Sequence, residues 1–282
     1  MIPFLAALLL AADPASEAAR EANGRVGAAA VILESNRTVV TLHARERFPM
    51  QSVYKLPIGM AALAQIDAGK LRLDQMVHVE KSEYVRAGQH SPLRDQHPEG
   101  ADVPLRELLR LTVQESDGSA SDVVLRLAGG APAVMQYLHS IGVRDVNVAD
   151  TEKAIGSDWQ TQYRNWATPE GAIRVLRAFH ESRGLSAAGR ALLMKFTIET
   201  TTSDTRIKGL LPQGTVVAHK TGASGERDGV TAASNDIGIA TLPDGRHLAI
   251  ALFVSDSRAD ATTRDRVMAK IAKMAWDRAT AR

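Results

Sequence analysis

The chain has no cysteine. That excludes disulfides, thiolate metal sites and a cysteine nucleophile, and it suits an oxidising compartment. Aromatic residues make up only 4%, and the net charge of +2 is carried without any basic block. Neither a stacking platform nor a charged footprint for nucleic acid is present. A membrane span is missing too: the apolar start, Met1 to Ala12 (MIPFLAALLLAA), is shorter than the roughly 20 residues such a helix needs. No internal repeat or low-complexity linker interrupts the chain. What is present is 282 residues, 45% hydrophobic and 23% charged, enough for a substantial core in one large domain or two closely packed ones.

The apolar start resembles the hydrophobic region of a secretory signal, with small residues at Ala11, Ala12 and Ala15 near a cleavage point. The positive charges that normally precede such a region are missing. Residues 1–15 are read as a signal segment, and the protein as exported to the periplasm or out of the cell.

Pro14 to Ala22 reads as a helix, Val26 to Ser35 as a strand, Asn36-Arg37 as a turn and Thr38 to Leu42 as a second strand. An apolar helix runs from Ser52 to about Asp67 and ends at Gly69. The middle is mostly helical: Val103 to Val113 opened by Pro104, Ser119 to Leu127, Pro132 to Ile141, Pro169 to His180 and Ser186 to Phe196. Residues 145 to 168 carry little apolar periodicity and read as a long functional loop. Thr215 to Lys220, Ser234 to Leu242 and Arg246 to Ser255 are strands, the last two joined by a tight turn at Pro243-Asp244-Gly245, and Thr262 to Ala279 is a closing amphipathic helix.

Two strands near the start and three near the end form one five-stranded antiparallel sheet flanked by the terminal helices, an α/β (α+β) architecture. Residues 16–47 with 207–282 make the sheet lobe, and 48–206 an inserted all-helical lobe. A cleft between lobes is where ligands usually bind.

Three short motifs can converge only across that cleft. Ser52-Val53-Tyr54-Lys55 opens an apolar helix, Ser116-Asp117-Gly118 follows in the helical lobe, and Lys220-Thr221-Gly222 lies on a strand. A serine and a lysine three residues apart stand one helical turn apart on one face. Serine is a poor nucleophile until a neighbour takes its proton. Lys55 does so if burial and a second cation, Lys220, lower its pKa. Ser-x-x-Lys alone occurs by chance about once in a chain of this length, so order, spacing and setting carry the argument.

On these motifs the chain resembles the class A serine β-lactamases from Arg25 to the last helix. Within the class it resembles the PER-type branch through Gln51, Asp204-Thr205-Arg206 and His219-Lys220-Thr221-Gly222-Ala223-Ser224-Gly225. The resemblance implies a β-lactamase/transpeptidase-like fold and a Ser52 acyl-enzyme formed on penicillins and cephalosporins. It implies an oxyanion hole at the backbone N–H groups of Ser52 and Ala223, and a proton relay through Ser116. Lys220, Thr221 and Arg206 would meet the substrate carboxylate, with Gly222 leaving room for the substrate. Glu152 would be the base for deacylation, and His90 a gate over the cleft. No cofactor or metal is expected: His90, His97, His139, His180 and His219 lack ligand spacing. The partner is a small-molecule β-lactam, the protein a monomer without membrane anchor.

Two positions depart from the family pattern. Its Ser-Asp-Asn is Ser116-Asp117-Gly118 here, and its asparagine four residues after the loop glutamate is Gly156. Neither glycine can supply the missing amide. Two other functions share the nucleophile: a penicillin-binding D-Ala-D-Ala peptidase, which lacks the loop glutamate, and a non-catalytic β-lactam sensor that stays acylated.

Overall fold

Alternate residues along the last strand explain the architecture. Leu248, Ile250, Leu252 and Val254 belong to one core, and Ala249, Ala251 and Phe253 to the other. A strand buried on both faces has to sit inside a sheet covered on both sides. The computed structural model describes residues 14–281; Ala11 and Ala12 lie outside these residues.

The main strands are β1 (Arg25–Ile32), β2 (Arg37–Leu42), β3 (Val217–Ala223), β4 (Val230–Thr241) and β5 (His247–Ser257). They pair antiparallel in the order β2-β1-β5-β4-β3, and the two-residue strand Glu226–Arg227 pairs with β4. Thus the sheet has the five expected strands and one short addition, and β3, with the Lys-Thr-Gly motif, is an edge. The expected hairpin turn forms at Pro243-Asp244-Gly245: Leu242 N–H donates to Arg246 O at 2.8 Å, and Gly245 takes φ +85°.

The helices are α1 (Pro14–Arg20), α2 (Lys55–Asp67), α3 (Pro92–Gln96), α4 (Leu105–Val113), α5 (Gly118–Leu127), α6 (Gly130–Ser140), α7 (Glu152–Ser157), α8 (Pro169–His180), α9 (Ala187–Ile198) and α10 (Ala261–Thr280). α1 and α10 pack together on one side of the sheet. Ala15, where the sequence reading ends the signal segment, is fully buried within α1. α8 covers the opposite face against β1 and β5, although its place in the chain assigns it to the helical lobe. α2 is the axis of that lobe. Every residue from Lys55 to Leu63 is buried, among α4, α5, α6 and α9, which is why this helix is apolar all round.

Two local expectations are corrected. Ala101–Pro104 is a strand paired with Met76–Val79, and helix α4 begins only at Leu105. Pro104 holds extended angles (φ −61°, ψ 141°) and biases Val103 the same way. Residues 145 to 168 are also less irregular than their composition suggests. They hold α7, a 3-10 turn at Thr161–Tyr163 and the short strands Val146–Asn147 and Trp166–Ala167.

Asp117 ties the lobe together beside the cleft. It is fully buried, accepts from Ser91 Oγ (3.0 Å) and the backbone N–H groups of Leu93 (2.6 Å) and Ala120 (2.8 Å), and caps α5. Asp117→Ala strands these donors and removes the cap, a loss on the order of 3 kcal/mol. The expected result is a thermal midpoint lower by several degrees in a calorimetric scan; an unchanged midpoint contradicts this role.

Candidate active site

The nucleophile turn is held in a conformation the chain would not choose alone. Ser52 sits in a one-turn 3-10 helix, Gln51–Tyr54, that runs straight into α2 at Lys55. Gln51 has φ +46° and Ser116, across the cleft, has φ +62°. Left-handed angles at residues other than glycine cost on the order of 1 kcal/mol each and persist where the surroundings impose them. Here Asn235 Nδ2 donates to Pro49 O (2.8 Å) and Met50 O (3.0 Å), Met50 N–H to Asn165 O (2.8 Å), and Gln51 Nε2 to Gln162 Oε1 (2.7 Å).

Five polar side chains meet at the cleft floor. Ser52 Oγ donates to Glu152 Oε1 at 3.5 Å, and Lys55 Nζ lies 3.1 Å from the same oxygen. Lys55 Nζ also donates to Ser116 O (2.7 Å) and Ser116 Oγ (3.5 Å), while Lys220 Nζ donates to Ser116 Oγ (2.9 Å) and Thr221 O (3.1 Å). Ser116 Oγ thus stands between the two ammonium groups, and Glu152 between Ser52 and Lys55. Both lysines are buried, at 1% and 0% exposure. Burial, then the charge of Lys55, pushes the Lys220 pKa well below the ordinary lysine value. The sequence reading gave Lys55 the Ser52 proton, with Lys220 as the perturbing cation. In the structure the hydrogen bond of the Ser52 hydroxyl runs to Glu152 Oε1.

Glu152 is the first residue of α7, a helix too short to persist by propensity. Thr151 caps it by accepting from Ala154 N–H at 3.1 Å, Asp122 accepts from Glu152 N–H (2.6 Å) and Lys153 N–H (2.9 Å), and Gln89 Nε2 donates to Glu152 O at 2.7 Å. Burial, reinforced by the charge of Glu152, pushes the Asp122 pKa up to about 7. The fully buried Tyr54 hydroxyl lies beside Glu152; burial first, then that carboxylate, raises its pKa well above the ordinary phenol value.

The opposite wall is edge strand β3. A Cβ on Gly222 would approach Met50 O to 2.4 Å and Ser52 N to 3.2 Å. Glycine is needed because the nucleophile turn itself packs on the strand, whereas the sequence reading reserved that space for substrate. Thr221 Oγ1 donates to Thr202 Oγ1 at 2.7 Å, and Ala223 is exposed at the strand end. Arg206 is no free surface cation. Its Nε pairs with Asp265 Oδ1 at 2.9 Å, and its Nη1 donates to Gly222 O (3.1 Å) and Asn235 O (2.8 Å), bracing β3 against β4.

His90 is exposed on the rim, its Nε2 2.9 Å from Glu115 O. Gly118 begins α5, where a Cβ would meet His90 O and a Val85 methyl at 3.2 Å, so an added side chain has little room. The cleft of about 1040 Å³ is lined by Ser52, Lys55, Ser116, Glu152, Arg206, Thr221, Gly222, Ala223 and His90. It exceeds the range of about 300–1,000 Å³ common for small-molecule sites. Gln51, Gln89, Trp159 and Thr202 also line it. Gln51 was already part of the resemblance, whereas Gln89, Trp159, Thr202 and Asp122 carry no sequence motif of their own and were missed.

The histidines do not gather at this cleft. His219 is buried on β3, with Nδ1 3.0 Å from Asp236 Oδ1. His180 and His247 do come together with Glu34, ligand atoms within 4.8 Å, a grouping of separate segments that the spacing argument did not find. Glu34 is engaged there by both the backbone N–H and the ring of His247.

Comparison with known proteins agrees with this geometry. The sequence pattern of the β-lactamase enzyme family matches residues 11–279. The extended-spectrum β-lactamase PER-1 of Pseudomonas aeruginosa is 42% identical over 231 residues, covering 82% of this chain and 75% of that protein. β-Lactamase VEB-1 of the same organism is 36% identical over 258 residues, covering 90% and 85%. Among solved structures, a β-lactamase from Chitinophaga pinensis superposes with a TM-score of 0.90 at 44% identity, covering 94% of this chain and 98% of that one. The TLA-1 extended-spectrum β-lactamase gives 0.91 at 38% identity, covering 95% and 97%. Fold and relatives together define a hydrolase. The chain belongs to the β-lactamase enzyme family, in class A.

The Asp122 shift sets a pH dependence. Its carboxyl keeps a proton up to about pH 7 when folded and up to about 4 when unfolded. The folded state therefore binds an extra proton between these values, and that stability is lost as pH rises through 7. Wild type should gain more thermal stability from pH 8 to pH 6 than Asp122→Asn does. Equal gains in calorimetric scans of the two proteins contradict the assignment.

Proposed function

We propose that this β-lactamase opens its substrate through an acyl-enzyme on Ser52 and releases it with water activated by Glu152. The observation that carries the reading is one carboxylate oxygen 3.5 Å from the Ser52 hydroxyl and 3.1 Å from the Lys55 ammonium. Ser52 Oγ attacks the lactam carbonyl as Glu152 takes its proton, the positive charge of Lys55 favouring the negative oxygen. The backbone N–H groups of Ser52 and Ala223 receive the developing oxyanion. As the ring C–N bond breaks, Ser116 gives its proton to the nitrogen and recovers one from a lysine, both ammonium groups being within 3.5 Å of its oxygen. Glu152 then hands the Ser52 proton to the lysine pair through Lys55, 3.1 Å away, and is a carboxylate again. In the second half it takes a proton from water as the water oxygen attacks the ester carbonyl, and returns that proton to Ser52 Oγ as the ester C–O bond breaks. The net change is one amide bond replaced by a carboxylate and an amine.

Lys220, Thr221 and Arg206 form the cationic end of the cleft for the substrate carboxylate. Arg206 acts there while bracing the strand that carries the other two. His90 stands at the entrance, and Gly118 leaves the floor beside Ser116 without a side chain. The cleft volume leaves space for the bulky side chains of cephalosporins as well as penicillins. Among the described residues no helix is long and apolar enough to cross a membrane. We read the protein as a monomer exported by its N-terminal segment. A D-Ala-D-Ala peptidase or a sensor that stays acylated would have no use for a carboxylate placed beside the acylated serine.

Glu152→Gln keeps the shape and removes the base. With a penicillin it should acylate more slowly and deacylate more slowly still, leaving a persistent adduct on Ser52 by intact mass, whereas Ser52→Ala should form none and lose hydrolysis by at least 10³-fold, on the order of 4 kcal/mol. Release from Glu152→Gln at the wild-type rate, or substantial activity in a folded Ser52→Ala, contradicts the mechanism.

A further inference from the structure

Glu152 and Gly156 are four residues apart on α7, so a side chain at 156 would project on the same face as the Glu152 carboxylate. Glycine leaves that place to a neighbour, and the neighbour is Gln89. A Cβ built at 156 would meet Gln89 Oε1 at 2.2 Å, Cδ at 2.3 Å and Nε2 at 2.5 Å. Gln89 comes from a different segment, the loop that precedes α3, and lines the same cleft as Ser52 and Glu152.

The orientation of its amide is fixed chemically. Gln89 Nε2 lies 2.7 Å from Glu152 O. A backbone carbonyl only accepts, so the nitrogen must face it and the oxygen must face away. That oxygen, Oε1, is buried and has no hydrogen-bond partner among the described residues. Buried polar atoms are nearly always satisfied by protein or by ordered water. An acceptor without a donor, buried against the face of α7 that carries the general base, is suited to a water molecule that serves that base.

We propose that Gln89 is a positioning residue for deacylation: with its amide in the place that Gly156 leaves to it, its Oε1 accepts a hydrogen bond from the water that Glu152 activates. The water then donates one proton to Glu152 and one hydrogen bond to Gln89, which aims an oxygen lone pair at the ester carbonyl. Gly156 and Gln89 form one unit, because any larger residue at 156 collides with the amide. This inference rests on the Ser52 and Glu152 reading above.

The test separates acylation from deacylation by rapid-quench intact-mass measurements with a penicillin, using wild type, Gln89→Ala, Gln89→Leu and the double variant Gln89→Ala/Gly156→Asn. Both single variants should acylate within twofold of wild type and deacylate at least tenfold more slowly. Their kcat and KM should therefore fall together, leaving kcat/KM nearly unchanged. The double variant returns an amide to the vacated space and should regain at least fivefold in deacylation. It does not restore the hydrogen bond to Glu152 O, so a bracing role would not be rescued. Wild-type deacylation in Gln89→Ala, recovery by the apolar Gln89→Leu, or a folded double variant without rescue each overturns the proposal. Failure of wild type itself to form or release an acyl-enzyme would overturn the functional reading instead.

Discussion

Everything at the cleft depends on two buried ammonium groups and the single carboxylate that touches one of them. Lys55 is paired with Glu152 at 3.1 Å. Among the described residues Lys220 has no carboxylate within ion-pair distance and is held by Ser116 Oγ and Thr221 O. Burying charge is expensive unless partners replace the lost water, and the cost falls on Lys220, whose proton affinity drops. On the proposed mechanism, a substrate carboxylate entering beside Lys220 supplies the missing counter-charge. The same imbalance makes Ser116, caught between the two lysines, a natural place to move a proton.

Such an arrangement persists only if the scaffold holds it against repulsion. Its parts come from four segments: the turn before α2, the turn before α5, the start of α7 and edge strand β3. Each is fixed by a polar residue behind it. Asn235 holds the nucleophile turn, Asp117 the Ser116 turn, Asp122 the start of α7, and Arg206 the edge strand. The two left-handed residues, Gln51 and Ser116, lie within these braced turns.

The sequence displayed the residues proposed for catalysis more clearly than their supports. Ser52, Lys55, Ser116 and Lys220 stand in short motifs whose order survives in any one chain, and apolar periodicity located the long helices and the sheet strands. α7 was not legible because a six-residue helix held by Thr151 and Asp122 has no apolar stripe. The pairing of Met76–Val79 with Ala101–Pro104 was not legible either, since it links distant segments through backbone bonds that periodicity does not report. Glycines at 118 and 156 looked alike as gaps in a pattern, yet one faces His90 O and the other the Gln89 amide, while Gly222, which fitted the pattern, faces the nucleophile turn. Only the fold separates a glycine that lost a side chain from one that another chain segment requires.

The most direct test of the account is one reaction of the unmodified protein with a chromogenic cephalosporin, following colour and intact protein mass together. The arrangement of Glu152 beside Ser52 predicts sustained colour over many equivalents, a transient adduct on the protein and return to the starting mass when substrate is exhausted. Colour that stops at one equivalent with a lasting mass increase would contradict it, because Ser52 would then be acylated at a site where Glu152 cannot deliver water.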